Sequence, residues 1–223
     1  MGDFWVPLFF IMKEIFAIFG KRPIPGFAKT RLEESLGPDK TQALYHAFME
    51  EFFHRFYKSQ DKEIHLFATP KELETKKYFN ELIERPFHFY FQSELPFFAR
   101  LKEVFEKIED SFIHLTGTDI PDFPFEIIDE VNAEIGKVYI GPDQNGGFYY
   151  LGAHSSHGDI FSLDLESGAE NVLQKVIERA KSLDLEVTLL KKWSDIDKIS
   201  DLNAYIARNT VENFSPTLKD LLP

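Results

Sequence analysis

The stretch EIFAIFGKRPIPGFAKTRL, residues 14–32, decides the fold, because an unbroken apolar run passes directly into a basic loop that contains glycine. Residues 14–19, ended by Gly20, read as a strand buried on both faces, since a parallel strand covered above and below shows little alternation. Beyond the loop, Gly37-Pro38-Asp39 is a helix start, and Leu44, Phe48, Phe52 and Phe56 recur every four residues with Ala43 and Ala47 beside them. That is the apolar stripe of a helix lying on a sheet.

The same alternation continues along the chain. Strands are predicted at 64–68, 87–91, 112–116, 137–140 and 186–190, and helices at 71–83, 96–108 and 124–132. A further helical stripe runs through Val172, Val176, Ile177, Ala180 and Leu183, and 202–207 forms part of a closing helix. Strands alternating with helices indicate βαβ units, hence an α/β fold with a mostly parallel central sheet and helices on both faces. The rhythm breaks at GPDQNGGFYYLG, residues 141–152, where paired glycines and aromatics predict a hairpin or bulge instead of a crossover.

At 223 residues with 43% hydrophobic content, the chain can bury one sizeable core, and it reads as a single domain over 12–208 with a tail at 209–223. A net charge of −12 disfavours nucleic acid as a partner. The absence of cysteine excludes disulfides, thiolate catalysis and cysteine-ligated metal, and suits a cytoplasmic setting. Residues 1–11 read as an extension whose apolar part is too short to span a membrane and contains Pro7. No basic residue precedes it as in a secretory signal, and translation from Met12 would open directly on the first strand. An exposed apolar patch there would also suit association with another chain.

Open parallel sheets bind ligands beyond the carboxyl ends of their strands, so the polar residues that follow each strand carry the functional reading. In 20–32, two glycines accompany Lys21, Arg22, Lys29 and Arg31, a combination suited to polyphosphate and equally to a solvated basic turn. After the strand at 112–116 come Gly117, Asp119 and Asp122. Asp119 is placed to hold Mg²⁺ together with substrate phosphates, while capping or turn formation is the other use of these aspartates and fits Asp122 better. After the last strand, Asp195 and Asp197 stand two apart, so that in extended chain both carboxylates face one ion; Asp197 or Ser200 could alternatively open the final helix. His154, His157 and Asp159 lack the further ligand that a zinc site requires, and His46, His54 and His114 read as ordinary hydrogen-bonded residues.

Four strings, FGKRPIPGFAKTRL, GTDIPDFP, IGPDQNGGFYYLG and WSDIDKISDL, occur in an order that resembles the bacterial nucleotide-diphospho-sugar transferases, also called rSAM/selenodomain-associated transferases. That family has a glycosyltransferase-A-type fold, and its wider relatives include phospholactate guanylyltransferase and the molybdenum-cofactor nucleotidyltransferases. The resemblance covers residues 12–207. It implies that Lys21, Lys29 and Arg31 contact nucleotide phosphates beside Gly20 and Gly117, with Lys29 and Asp119 catalytic. It implies a Mg²⁺ or Mn²⁺ ion on Asp119 and Asp197, with Asp195, and Gly146 and Gly147 beside the second substrate. Asn145 belongs to that acceptor side.

Two strings depart from the family. Asn145-Gly146-Gly147-Phe148 stands where DGGY is usual, and Gln92-Ser93-Glu94-Leu95-Pro96-Phe97-Phe98 replaces a glycine-containing stretch that ends in Arg-Met and is expected near the base or the acceptor. The expectation is a metal-dependent transferase that takes a nucleoside triphosphate or nucleotide sugar and passes a nucleotidyl or glycosyl group to a small acceptor. The alternative is a non-catalytic nucleotide- or partner-binding module on the same fold.

Overall fold

The computed structural model describes residues 12–165, 171–210 and 214–222, so the extension at 1–11, with its reading as an association surface, lies outside the described residues. The strands are β1 (Lys13–Lys21), β2 (Glu63–Thr69), β3 (Phe87–Phe91), β4 (Ser111–Gly117), β5 (Lys137–Pro142), β6 (Phe148–His154) and β7 (Glu186–Leu189). They form one sheet in the order β3-β2-β1-β4-β6-β5-β7. Only β6 runs against its neighbours. Its reversal comes from the glycine-rich string, where β5 and β6 form an antiparallel hairpin with a register shift at Gly141/Pro142, so the hairpin and the irregularity coexist.

Helices α1 (Thr30–Leu36), α2 (Pro38–Ser59), α3 (Leu73–Leu82), α4 (Phe97–Lys107), α5 (Val172–Ser182), α6 (Ile199–Arg208) and α7 (Pro216–Leu221) cover both faces of the sheet. One face packs Phe16 and Ile18 of β1 against α2, α3 and α6; the other packs Ile15 and Ala17 of β1 against α4 and α5. Successive β1 side chains therefore feed opposite cores, which is why that strand reads as continuously apolar. Phe48, Phe52 and Phe56 are fully buried, and each such ring stabilises the fold by roughly 2 kcal/mol. Leu218 of α7 is also buried in this first core, so part of the tail packs onto the domain. Among the described residues no helix is long and apolar enough to cross a membrane.

Two elements differ from the sequence reading. The helix expected at 124–132 is a short 3-10 helix, Phe125–Glu130. Phe123, Phe125, Ile127 and Ile128 are all buried, a spacing that a 3.6-residue period cannot direct at one core, and the isoleucines are β-branched. The basic loop, in turn, ends in α1. That helix has seven residues and only Leu32 is buried, so it has no stripe to read.

Candidate functional site

The loops that follow β1, β4, β5 and the last strand converge at the carboxyl edge of the sheet and line a cleft of about 360 Å³. Gly20, Lys21, Lys29, Gly117, Asp119, Asp195 and Asp197 all line it. Lys29 is brought there by its backbone: it sits in the left-handed region at φ 58°, ψ 39°, immediately before α1. For a residue with a side chain this costs of order 1 kcal/mol, the kind of strain that persists where surrounding contacts enforce it. Here the contact is an ion pair, with Lys29 Nζ donating to Asp119 Oδ2 at 3.1 Å, and the lysine side chain is only 7% exposed. Burial works to lower the Lys29 pKa, but the attraction of Asp119, then of Tyr45, Asp195 and Asp197, outweighs it and leaves the pKa raised.

Asp195 and Asp197 lie on an extended segment with the buried Ile196 between them, so they face the cleft together as the two-residue spacing requires. Ile196 N donates to Asp119 O at 3.1 Å, which joins this segment to the β4 loop. Burial and the neighbouring Asp119 carboxylate push Asp195 up to about 7, Lys29 only partly offsetting them. Arg31 lies outside the cleft lining and donates to Asp197 Oδ2 at 2.8 Å from an exposed position. Arg22 lies outside the cleft lining and pairs with Glu72 at 2.7 Å.

Neither Asp122 nor Asp197 caps a helix. Asp122 is a buried clamp: its carboxylate accepts from Arg208 Nε at 2.6 Å, Arg208 Nη2 at 2.8 Å and Asn209 Nδ2 at 2.8 Å. Arg208 also donates to the hydroxyl and the carbonyl of Ser194. The loop bearing Asp119 is thereby fastened to the segment bearing Asp195. At the start of α6 it is Asp201 whose carboxylate accepts from the backbone of Asp197 and Lys198, and Ser200 is not the cap either.

Asn145, Gly146 and Gly147 do not line the cleft; they shape the β5–β6 turn. Gly146 has φ 88°, and a side chain at Gly147 would meet Asp143 Oδ2 at 2.6 Å. Asp143 Oδ1 accepts from Asn145 N at 2.7 Å and Gly147 N at 2.8 Å, and this residue does line the cleft. The turn therefore presents a carboxylate two residues before the asparagine.

Sequence reasoning missed Asp143 and Arg100, and it placed Gln92 only within a divergent loop. Gln92 Nε2 donates to Phe67 O at 2.9 Å and Gly20 O at 3.4 Å, which obliges its Oε1 to face Arg100 Nη1. No described residue accepts from the buried Arg100 Nε, and burial lowers the pKa of this guanidinium. Arg100 is thus a cation held by a neutral amide at the cleft wall. The signal available in the sequence was its position, in the first turns of the helix that follows a strand.

His157, Asp159 and His114 play structural parts. His157 Nε2 accepts from Gly136 N at 3.0 Å, and Asp159 pairs with Lys102 at 2.7 Å. His114 is fully buried between Glu14 and Tyr150, and burial lowers its pKa against the opposing pull of Glu14.

The sheet and its helices form an α/β protein with the nucleotide-diphospho-sugar transferase fold. The chain belongs to the family described as "Uncharacterized protein conserved in bacteria (DUF2064)", which matches residues 53–164. Among solved structures it is similar to a "putative nucleotide-diphospho-sugar transferase" from Desulfovibrio desulfuricans G20, at 27% identity and TM-score 0.79, over 95% of this chain and 94% of that one. A nucleotidyl transferase from Methanothermobacter thermautotroptrophicus shares the fold at 13% identity and TM-score 0.57, over 86% of this chain and 95% of that one. A cytidylyltransferase from Leptospira borgpetersenii does so at 14% identity and TM-score 0.55, over 94% and 92%. No curated protein matches the chain.

Proposed function

We propose that the chain is a divalent-metal-dependent transferase that takes a nucleotide donor and passes a nucleotidyl or glycosyl group to a small acceptor. The observation that carries this reading is the convergence of the Lys29–Asp119 pair with Asp195 and Asp197 in one cleft at the carboxyl edge of the sheet. The name of the Desulfovibrio relative and the fold shared with nucleotidyl transferases support it.

The donor chemistry suits a hard cation, which would draw the three carboxylates together, since among the described residues their oxygens do not all lie within 4.8 Å of one another. Asp119, Asp195 and Asp197 offer only oxygen, and Asp195 is pushed up first by burial and then by the Asp119 carboxylate, which Lys29 only partly offsets. These three would hold Mg²⁺ or Mn²⁺, with Asp143 at the rim, and the ion would neutralise phosphate charge there.

The chain's own groups supply the rest. Lys21 and Lys29, with Arg31 at the margin, meet phosphate oxygens beside Gly20 and Gly117. Lys29 exchanges its Asp119 contact for a phosphate oxygen and stabilises negative charge that develops on the departing group. Two outcomes are open to the acceptor oxygen. It forms a bond to the α-phosphorus while pyrophosphate departs with the electron pair of the broken P–O bond, or it bonds to a sugar carbon while a nucleoside diphosphate departs. In both cases the acceptor loses its proton to solvent or to a cleft carboxylate.

Calorimetry with nucleoside triphosphates and nucleotide sugars, with and without Mg²⁺ or Mn²⁺, tests the reading. Metal-dependent binding of one donor, lost in Asp119→Ala, is expected; release of pyrophosphate or of nucleoside diphosphate then distinguishes the two transfers. Binding of no donor across the panel would replace this reading with that of a non-catalytic module.

A further inference from the structure

At the opposite edge of the sheet, where β2 and β3 begin, Glu63, His65 and His88 turn their donor atoms toward one another, all within 4.8 Å. Strand geometry is the cause. Glu63 and His65 are two apart on β2 and so share a face, and the parallel register sets His65 directly beside His88 on β3. The two imidazoles stack with centroids 4.5 Å apart, and the Nε2 atoms of both lie 2.8 Å from the same oxygen, Glu63 Oε1.

We propose that Glu63, His65 and His88 form a second metal site, separate from the cleft, that takes a zinc-type divalent ion and straps the edge strand β3 to β2. Two nitrogens and one oxygen make a borderline-soft donor set suited to zinc, with a fourth position left to water. Zinc–ligand bonds of about 2.0–2.1 Å in a tetrahedron separate donor atoms by roughly 3.3 Å, so the two contacts at Glu63 need widen by only about half an ångström. The surroundings favour ligation. The Tyr90 hydroxyl lies 3.4 Å from His65 Nδ1 and can accept its proton in a hydrogen bond, which leaves the lone pair on Nε2. Lys13 holds the other oxygen, Glu63 Oε2, at 2.9 Å and leaves Oε1 facing the histidines. His88 is 57% exposed in its side chain, so an ion can enter without disturbing the core.

The test uses the full chain carrying Asp119→Ala, which removes the central carboxylate of the cleft, with Zn²⁺ and Co²⁺ alone as probes. One equivalent of Zn²⁺ is expected to bind, to raise the melting temperature, and to displace Co²⁺ whose visible absorption reports nitrogen ligation. Adding His88→Ala, an exposed change that leaves folding intact in chelator, should weaken binding at least tenfold and abolish the thermal shift. Absence of stoichiometric Zn²⁺ binding, or equal binding in the His88→Ala chain, would overturn the proposal.

Discussion

The two edges of the sheet gather titratable groups in opposite ways. At the carboxyl edge, the aspartates come from separate loops, and their positions depend on ties outside the strands, such as Ile196 N to Asp119 O and the Asp122–Arg208 clamp. At the amino edge, Glu63, His65 and His88 stand on the pleats themselves, and pairing alone sets their separation. The first arrangement yields a cleft in which Asp119, Asp143, Asp195 and Asp197 face Lys21, Lys29 and Arg100; the second yields a compact nitrogen-rich cluster. Loops give reach and variety of partners, whereas pleats give fixed spacing that a single substitution can remove without cost to the fold.

The comparison breaks most visibly at Asp122. Asp122→Ala should cost about 3 kcal/mol, because the partly buried Arg208 loses its counter-ion and Asn209 loses its acceptor. Urea titration should show that loss, together with loss of nucleotide binding as the loops separate. An unchanged midpoint would mean that the loops do not rely on the clamp.

Asp119→Asn should lower turnover by about 10²–10³-fold, the scale of removing one preorganised charge-stabilising group, and should also lower the melting temperature of the ligand-free chain because the buried Lys29 loses its counter-ion. Zinc affinity at the amino edge should not move, and a parallel loss at both edges would show that the two regions are coupled.

A third effect lies in pH. The folded-state pKa of Asp195 is raised, from 3.8 to about 7, so its protonated form favours folding. That contribution is complete below the unfolded value and is lost as pH rises through about 7. Without metal, the melting temperature should therefore fall from about pH 4 to about pH 7 and level off above; with Mg²⁺ the carboxylate is needed in its charged form, so affinity should rise up to about pH 7 with release of a proton. Melting curves at several pH values, with and without Mg²⁺, would check both signs.

The smallest effect belongs to His88→Ala in chelator, expected within about 0.5 kcal/mol of the parent because the side chain is mostly solvated. A larger loss in thermal melts would assign His88 to the fold instead of to an ion.

The same contrast governs what the sequence could reveal. The continuous run in β1 and the four-residue stripe of α2 follow from their burial, so fold class was readable before any contact was known. Lys29, Asp119, Asp195 and Asp197 were readable because each follows a strand. Asp143 was hidden because its place depends on how the Gly146-Gly147 turn closes, and Arg100 because its role depends on which way the Gln92 amide is forced to face. His65 and His88 are 23 positions apart, and only the β2–β3 register makes them neighbours. The 124–132 helix failed because local propensity lost to a core that demanded four closely spaced apolar residues.

The clamp also sets an order on synthesis. Arg208 and Asn209, which hold Asp122, are made after every strand, and domains take shape while the chain is still emerging at roughly 5–20 residues per second. A nascent chain therefore owns its sheet and its basic loop before it owns a closed cleft. The ribosome must deliver α6 before the clamp can close the cleft on the proposed nucleotide, so a message cut short upstream of α6 encodes the scaffold without the clamp.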